Sequence, residues 1–377
     1  MSTQLRLDAL RGSGVIAKPH NARTIAALTR NPGCTRRAVM DAAGVDKDKT
    51  AAATGHPASI GKLSPLAVAR GQGFEARVKS QGGAELLRLL RENLGLPIPQ
   101  AHYLDLGGDD DSVIGGRYLR SRSALAASAD SGPDAGTLFD HPMLRLQIAG
   151  VWVYLEPDMV AFRLEDKFYI IEIKSFAIVD GVADPGDVTR AAIQSSVYVL
   201  ALRNLLADAG HDPNLVADQV ILVCPKDFSN QPTAHFVDVR KQLTVLRRQL
   251  ARMADIDRLL DSLPDGVTFD LAPDAHGLPT RSAADLAHAL RSVEARYAPE
   301  CLSACELALF CRHDAHDAHS TAALGRTVRE ELGGVDCTST AVALGTGTLV
   351  PTDDLVQAAE TLRAAHALRT AILGQLA

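Results

Sequence analysis

The chain has 377 residues, of which 46% are hydrophobic, 22% charged and 4% aromatic, with a net charge of −6. That length exceeds one simple domain, and the negative balance excludes a generally basic, polyanion-coating protein, so any nucleic-acid contact must come from a local patch. No apolar run reaches the roughly 18 residues of a membrane span, and the opening MSTQLRLDALRGSG lacks the apolar segment of a signal peptide, so a cytoplasmic location is expected.

Residues 20 to 45 have helical spacing, interrupted at RNPGC, and the polar, Gly/Pro-bearing stretch from 46 to 64 reads as a loop. From Ser64 to Leu94 the apolar spacing is again helical. Asp105 to Asp134 is rich in Gly, Asp and Ser and predicts an irregular insertion. Residues 143 to 179 change character, with β-branched and aromatic runs broken at LEDK, and predict two or three strands in a meander. DVTRAAIQSSVYVLALRNLLADAG follows as a helix, with Asp187 as its N-cap and Gly210 as its stop. DQVILVCP and AHFVDV read as strands, RKQLTVLRRQLARMADIDRLLDSL as one long helix, and the remainder from about Ser282 as mostly helical. The predicted class is α/β: a helical region over 1–100, the irregular insertion over 101–142, a core over 143–265 and a helical region over 266–377.

Within the core, FYIIEIKSF places Glu172 and Lys174 two residues apart in the most β-prone stretch of the chain. Strand alternation points both the same way, with Ile171 and Ile173 directed oppositely into a core. Asp158, in YLEPDMVAF, sits on the preceding strand, and a turn at LEDK folds the two together. E-x-K alone reads as a surface ion pair, worth roughly 0–1 kcal/mol. Two converging carboxylates beside a lysine instead suit a divalent cation: Mg²⁺ takes one or two carboxylates, waters and a substrate phosphate. The Ile173 carbonyl is a further oxygen ligand, and Lys174 orients or deprotonates a water for phosphodiester hydrolysis. On the next helix Gln194 and Tyr198 are one turn apart on an otherwise apolar face, either as core packing or as contacts for a phosphate or base.

The ordered series EPD, EIK and QSSVY resembles the PD-(D/E)xK nuclease superfamily, in its RecB-like branch with a Q-x-x-x-Y element. The resemblance covers about 156 to 198 and implies a restriction-endonuclease-like core, a mixed central sheet flanked by helices with helical additions at both ends. It implies Asp158 and Glu172 as metal ligands for Mg²⁺ or Mn²⁺, Lys174 as catalytic lysine, and Gln194 and Tyr198 as DNA contacts. The family's helix histidine, in a G-x-x-x-H element, is absent: Gly73 is followed four residues later by Arg77. Glu75 is the substitute carboxylate and His56 the weaker option.

Cys301, Cys305 and Cys311 cluster in CLSACELALFC, with Cys34 far upstream. Four thiolates suit a soft metal or an iron–sulfur cubane, and such a tie across the chain is stabilising. One cysteine before the nuclease motifs and three after resembles the iron–sulfur nucleases of the RecB-like group, although here the first two of the trio are separated by three residues rather than two. The resemblance implies a 4Fe-4S cluster; Zn²⁺ is the alternative. Cys224 reads as a buried thiol, and His313, His316 and His319 as a solvated polar face. GHPASIGKL fails as a phosphate-binding loop, because Leu63 follows Lys62 where Ser or Thr is needed. The basic helix bearing Arg240, Lys241, Arg247, Arg248 and Arg252 is either a phosphate-tracking surface or a solvated face, and Arg36 and Arg37 form a second candidate patch.

The expected function is a Mg²⁺- or Mn²⁺-dependent deoxyribonuclease, an exonuclease by its resemblance, acting on single-stranded DNA or duplex ends. A helicase or defence-system protein is the expected partner. The alternative is a nuclease-fold DNA-binding or scaffold protein without activity.

Overall fold

The computed structural model describes residues 2–57, 65–96, 98, 101–108, 114–130, 136–164, 166–227, 229–321 and 330–375. The chain divides into two compact units, one of residues 19–29 and 61–255, the other of 1–18, 30–60 and 256–377. Much of the GHPASIGKL stretch lies outside the described residues. Among them, no helix is long and apolar enough to cross a membrane.

The first unit is mixed α/β, built on a six-stranded sheet flanked by helices. Its strands are β1 (Ala101–Asp105), β2 (Gly136–Asp140), β5 (Met159–Leu164), β6 (Lys167–Ile173), β7 (Gln219–Pro225) and β8 (Pro232–Asp238), adjacent in that order. β6 is the central element, antiparallel to β5 and parallel to β7. Parallel neighbours need a crossover, which contains helix α7 (Pro185–Asp208). Phe168 through Ile173 are all buried, as required of a strand covered on both faces. Tyr169, Ile171 and Ile173 pack with Phe74, Val78, Leu86, Leu89 and Leu90 of helix α5 (Pro65–Glu92). By alternation, Phe168, Ile170 and Glu172 take the opposite face, where α7 packs on β6.

Helix α5 breaks at Ser80–Gly83, where Gln81, Gly82 and Gly83 all have positive φ. Gly83 is fixed there by contact as well as by conformation, since a Cβ would meet Leu138 at 3.0 Å and Tyr103 at 3.2 Å. The break lets Leu86–Leu90 lie on the sheet while the preceding turns carry Glu75 and Lys79. Strands β3 (Leu144–Ile148) and β4 (Val151–Leu155) form a separate hairpin. Its turn residues Ala149 and Gly150 both have positive φ, the backbone of a two-residue type I′ turn. β3 packs against α7, helix α6 (Ile114–Asp130) and helix α8 (Arg240–Ala254).

The second unit is helical: α1 (Thr3–Arg11), α3 (Thr35–Ala42), α4 (Lys47–Ala53), α9 (Ile256–Asp261), α10 (Ala283–Arg291), α11 (Ala308–Asp317) and the C-terminal helices Thr338–Thr346 and Val356–Gln375. Helix α2 (Ala22–Leu28) belongs to the first unit and packs on α7.

Five expectations change. The stretch over 143–179 holds four strands, β3 to β6, split between two sheets, rather than two or three in one meander. The stretch over 101–142 is not an irregular insertion: it supplies β1, α6 and β2, and the compact unit holding the sheet spans it. Gly and Asp runs dominate its composition and hide the Arg/Leu/Ala-rich helix between them. The stretch from 46 contains α4, capped when Asp46 accepts the Lys49 N–H. The N-cap of α7 is Asp184, not Asp187, with Pro185 in the first turn where no amide donor is needed. The long helix after β8 is two helices divided at Asp255. Truncating Ile171, which is fully buried in the central strand, to alanine should destabilise the sheet unit by about 2–5 kcal/mol, read as a lower urea midpoint.

Candidate active site

The β5–β6 hairpin pairs Met159 with Ile171, which sets Asp158 at the mouth of the pair. Asp158 Oδ2 accepts the Ile173 N–H at 2.7 Å, fixing the carboxylate to the end of β6. Glu172 is fully buried; its Oε1 accepts from the Lys174 ammonium, while its Oε2 has no hydrogen-bond partner among the described residues. Lys174 is still in register, since its N–H donates to the Val223 carbonyl at 2.9 Å, yet its side chain is 27% exposed. Pleating and pairing together place one carboxylate deep and its lysine at the opening.

Burial pushes Glu172 up to about 7, opposed by Lys174 and reinforced by the Asp158 charge. Burial also raises Asp158, with Lys174 acting against it and Glu75 with it. For Lys174 burial works downward, but the Glu172 and Asp158 carboxylates outweigh it and hold the ammonium above its ordinary value. Two buried carboxylates therefore share one low-dielectric place, with the Glu75 charge near enough to act on both. An orphaned, fully buried carboxylate oxygen beside a second carboxylate fits a hard divalent cation, which removes the mutual repulsion.

Glu75, on α5, faces a group that sequence reasoning missed. His141, at the end of β2, places Nε2 3.3 Å from Glu75 and Nδ1 3.0 Å from Asp140. Lys79 stands 2.5 Å from Glu75 and 2.7 Å from Asp140. The His141 N–H reaches the Asp158 carbonyl at 3.4 Å, tying this network to the hairpin. Hydrogen bonds to Asp140 and then Glu75 raise His141 to about 10. The bond from His141, with Lys79 next, holds Glu75 at about 2 despite burial. For Asp140 burial pushes upward, but His141, Lys79 and Tyr103 together bring it to about 2. Asp105, Asp140 and His141 have donor atoms close enough to share an ion. The Lys79 ammonium already lies 2.7 Å from Asp140 and 3.0 Å from His141 Nε2, supplying positive charge at these donor atoms, so a divalent cation fits Asp158–Glu172 better. The available signal was FDHP, an Asp-His pair at a strand end before proline.

On α7, Tyr198 is only 5% exposed. Its hydroxyl accepts from Gln194 Nε2 at 3.2 Å, and burial followed by the Glu172 charge keeps the phenol protonated. Gln194 is the half-buried, more accessible member.

The helical unit brings the other predicted group together. Cys34 caps the start of α3, Cys301 lies in a 3₁₀ turn, Cys305 follows it, and Cys311 is on α11. All four are free thiols, and Cys301 and Cys305 are buried. All four belong to the helical unit, and Cys34 lies near enough to Cys301 and Cys311 for its charge to act on them. Burial raises Cys305 to about 12 and Cys311 to about 11, against the opposing charges of Arg37 and Arg36. Asn31 Nδ2 donates to Cys301 Sγ at 3.1 Å, and Arg36 Nη1 to Cys311 Sγ at 3.1 Å. Two of the four sulfurs thus receive a side-chain donor, one an amide and one a guanidinium.

Arg36 and Arg37 are 2% and 4% exposed, so they are not the surface phosphate patch expected from sequence. Cys224 is buried, with burial raising its thiol to about 12. His56 meets Phe310 and His313 edge-on within the helical unit. His313 and His316 are solvent-exposed beside Asp317. Arg240, Lys241, Arg247 and Arg248 line the exposed face of α8.

No family model matches the chain, and no curated protein matches it. Among solved structures, the crystal structure of SSO0001 is similar to 48% of this chain and 69% of its own, at 16% identity and a TM-score of 0.19.

The charged network at Glu75 makes a pH prediction. The depressed carboxylates contribute stability that is present above their ordinary values of 4.5 and 3.8 and is lost as pH falls toward about 2. The raised histidine contributes stability that is complete below 6.5 and is lost as pH rises toward about 10. The melting-temperature deficit of metal-free His141→Gln should therefore be largest between about pH 4.5 and 6.5 and shrink on both sides.

Proposed function

We propose that the chain is a divalent-metal-dependent nuclease that hydrolyses phosphodiester bonds in DNA, an exonuclease of the RecB-like PD-(D/E)xK type on a restriction-endonuclease-like core. The observation that carries the reading is Glu172, a fully buried carboxylate with one unpartnered oxygen, paired with Lys174 and placed beside Asp158. Asp158, Glu172 and the Ile173 carbonyl would hold Mg²⁺ or Mn²⁺, with Glu75 as the neighbouring third carboxylate. When bound, the cation would lower the pKa of a water and stabilise charge on the phosphate.

The remaining work falls to the chain's own groups. Lys174, kept as an ammonium by its two carboxylates, orients the water and the scissile phosphate rather than abstracting a proton. The Ile173 amide fixes Asp158 so that it cannot swing from the site. Tyr198, buried beside Glu172, anchors Gln194, whose amide is the group available to position the strand. In the helical unit, Cys34, Cys301, Cys305 and Cys311 would hold an iron–sulfur cluster, with Arg36 and Asn31 donating to sulfur; a Zn²⁺ site is the competing assignment. A cytoplasmic location and a helicase or defence-system partner accompany this reading.

A second reading, a nuclease-fold DNA-binding or scaffold protein without activity, is favoured by one observation: Glu75 is already engaged by Lys79 and His141. DNA binding without Mn²⁺-dependent cleavage would establish it.

Purified protein with Mn²⁺ should degrade single-stranded DNA or duplex ends, and Lys174→Ala should lower the rate by about 10²-fold or more. Equal inactivity of wild type and variant on every substrate would remove the enzyme assignment. Mn²⁺ at a hundredfold excess over its dissociation constant should stabilise wild type by about 2.7 kcal/mol in thermal unfolding, and Glu172→Gln much less. Protein prepared anaerobically should carry iron and labile sulfide with broad visible absorbance, lost in Cys305→Ser; zinc alone would replace the cluster assignment.

A further inference from the structure

The sheet unit contains a cavity of about 380 Å³ between the β3–β4 hairpin and α6, α7 and α8. Nothing in the carboxylate site uses it. Asn204 lines it from α7, but at 3.6 residues per turn Asn204 lies on a different face of that helix from Gln194 and Tyr198. The cavity is a place of its own.

Its lining is chemically specific. Arg145 is sandwiched between rings, its guanidinium carbon 4.2 Å from the Tyr118 centroid and 4.0 Å from the Trp152 centroid. Arg145 Nε is buried without a hydrogen-bond partner, and among the described residues no ion pair forms at Arg145 or at Arg247, which lines the wall from α8. Asp208 is the acidic residue of the lining, against two arginines, Arg145 and Arg247. Trp152 remains 45% exposed despite its stack, leaving indole surface for a further planar group. An apolar ligand would not use the cationic wall, and a bare anion would not use the indole. A ligand with an aromatic ring and a phosphate uses both, together with the Asn204 amide for a ring edge.

We infer that this cavity is a nucleotide-binding subsite in which Trp152 stacks on a base and Arg145 and Arg247 take the phosphate. The inference goes beyond the nuclease reading and requires neither Asp158 nor Lys174. The nucleotide is either free or part of a strand, and the two sources separate experimentally.

Trp152 is the only tryptophan of the chain, so its fluorescence reports on this cavity directly. Full-length Lys174→Ala, without divalent metal, is titrated separately with dTMP, with a short oligothymidylate and with inorganic phosphate. Saturable quenching by the oligonucleotide is expected, with affinity about tenfold weaker in the same protein carrying Arg247→Ala. Arg247 is exposed on α8, and an unchanged melting temperature confirms the fold of that variant. Quenching by dTMP at similar affinity assigns the site to free nucleotides; quenching by the oligonucleotide alone assigns it to a strand. No quenching by either, an equal response to phosphate alone, or indifference to Arg247→Ala overturns the subsite. Quenching in a protein whose wild type cleaves no DNA leaves the subsite standing and removes only the nuclease reading.

Discussion

A carboxylate with no access to water governs the sheet unit. Glu172 is placed by β-strand alternation on the face where Phe168 and Ile170 are buried, and charge there is costly unless answered. Lys174 answers one oxygen, and it can do so only because the same alternation sends residue 174 to the same side one step nearer solvent. Asp158 intensifies the difficulty rather than relieving it. The resulting excess of negative potential, held by a backbone amide and two strand registers, is the feature around which the helices α5 and α7 are arranged.

The network on α5 solves a similar problem by other means. Glu75 and Asp140 are neutralised internally by Lys79 and His141, so the same local chemistry, carboxylates at a sheet end, has one half closed by side chains and one half open. The helical unit repeats the contrast in sulfur. Burial raises the Cys301, Cys305 and Cys311 thiols, while the Asn31 amide donates to Cys301 and the Arg36 guanidinium to Cys311.

Much of this was legible in sequence because it rests on short-range pattern. The alternation in FYIIEIK, the turn between β5 and β6 and the i,i+4 pair Gln194–Tyr198 each express a period of two or 3.6 residues. What escaped depends on long-range packing. β1 is five residues long and exists through pairing with β2, and α6 lies between Gly- and Asp-rich runs that dominated its neighbourhood. His141 was invisible for a related reason: the search for a histidine followed the α5 helix, whereas the structure draws it from the end of a strand 66 positions after Glu75. Arg36 and Arg37 looked like surface charge because adjacent arginines usually are; only the fold shows them buried, Arg36 donating to Cys311 and Arg37 to Asp41 and the Ala304 carbonyl.

The division of the chain into units has a consequence for the order of synthesis. The helical unit is assembled from three separate segments, the last beginning at Ile256, whereas the sheet unit is complete by Asp255. At about 5–20 residues per second, Cys34 leaves the ribosome on the order of tens of seconds before Cys301. The sheet unit can fold during that interval. Cys34 meets Cys301, Cys305 and Cys311 only once the final third of the polypeptide arrives.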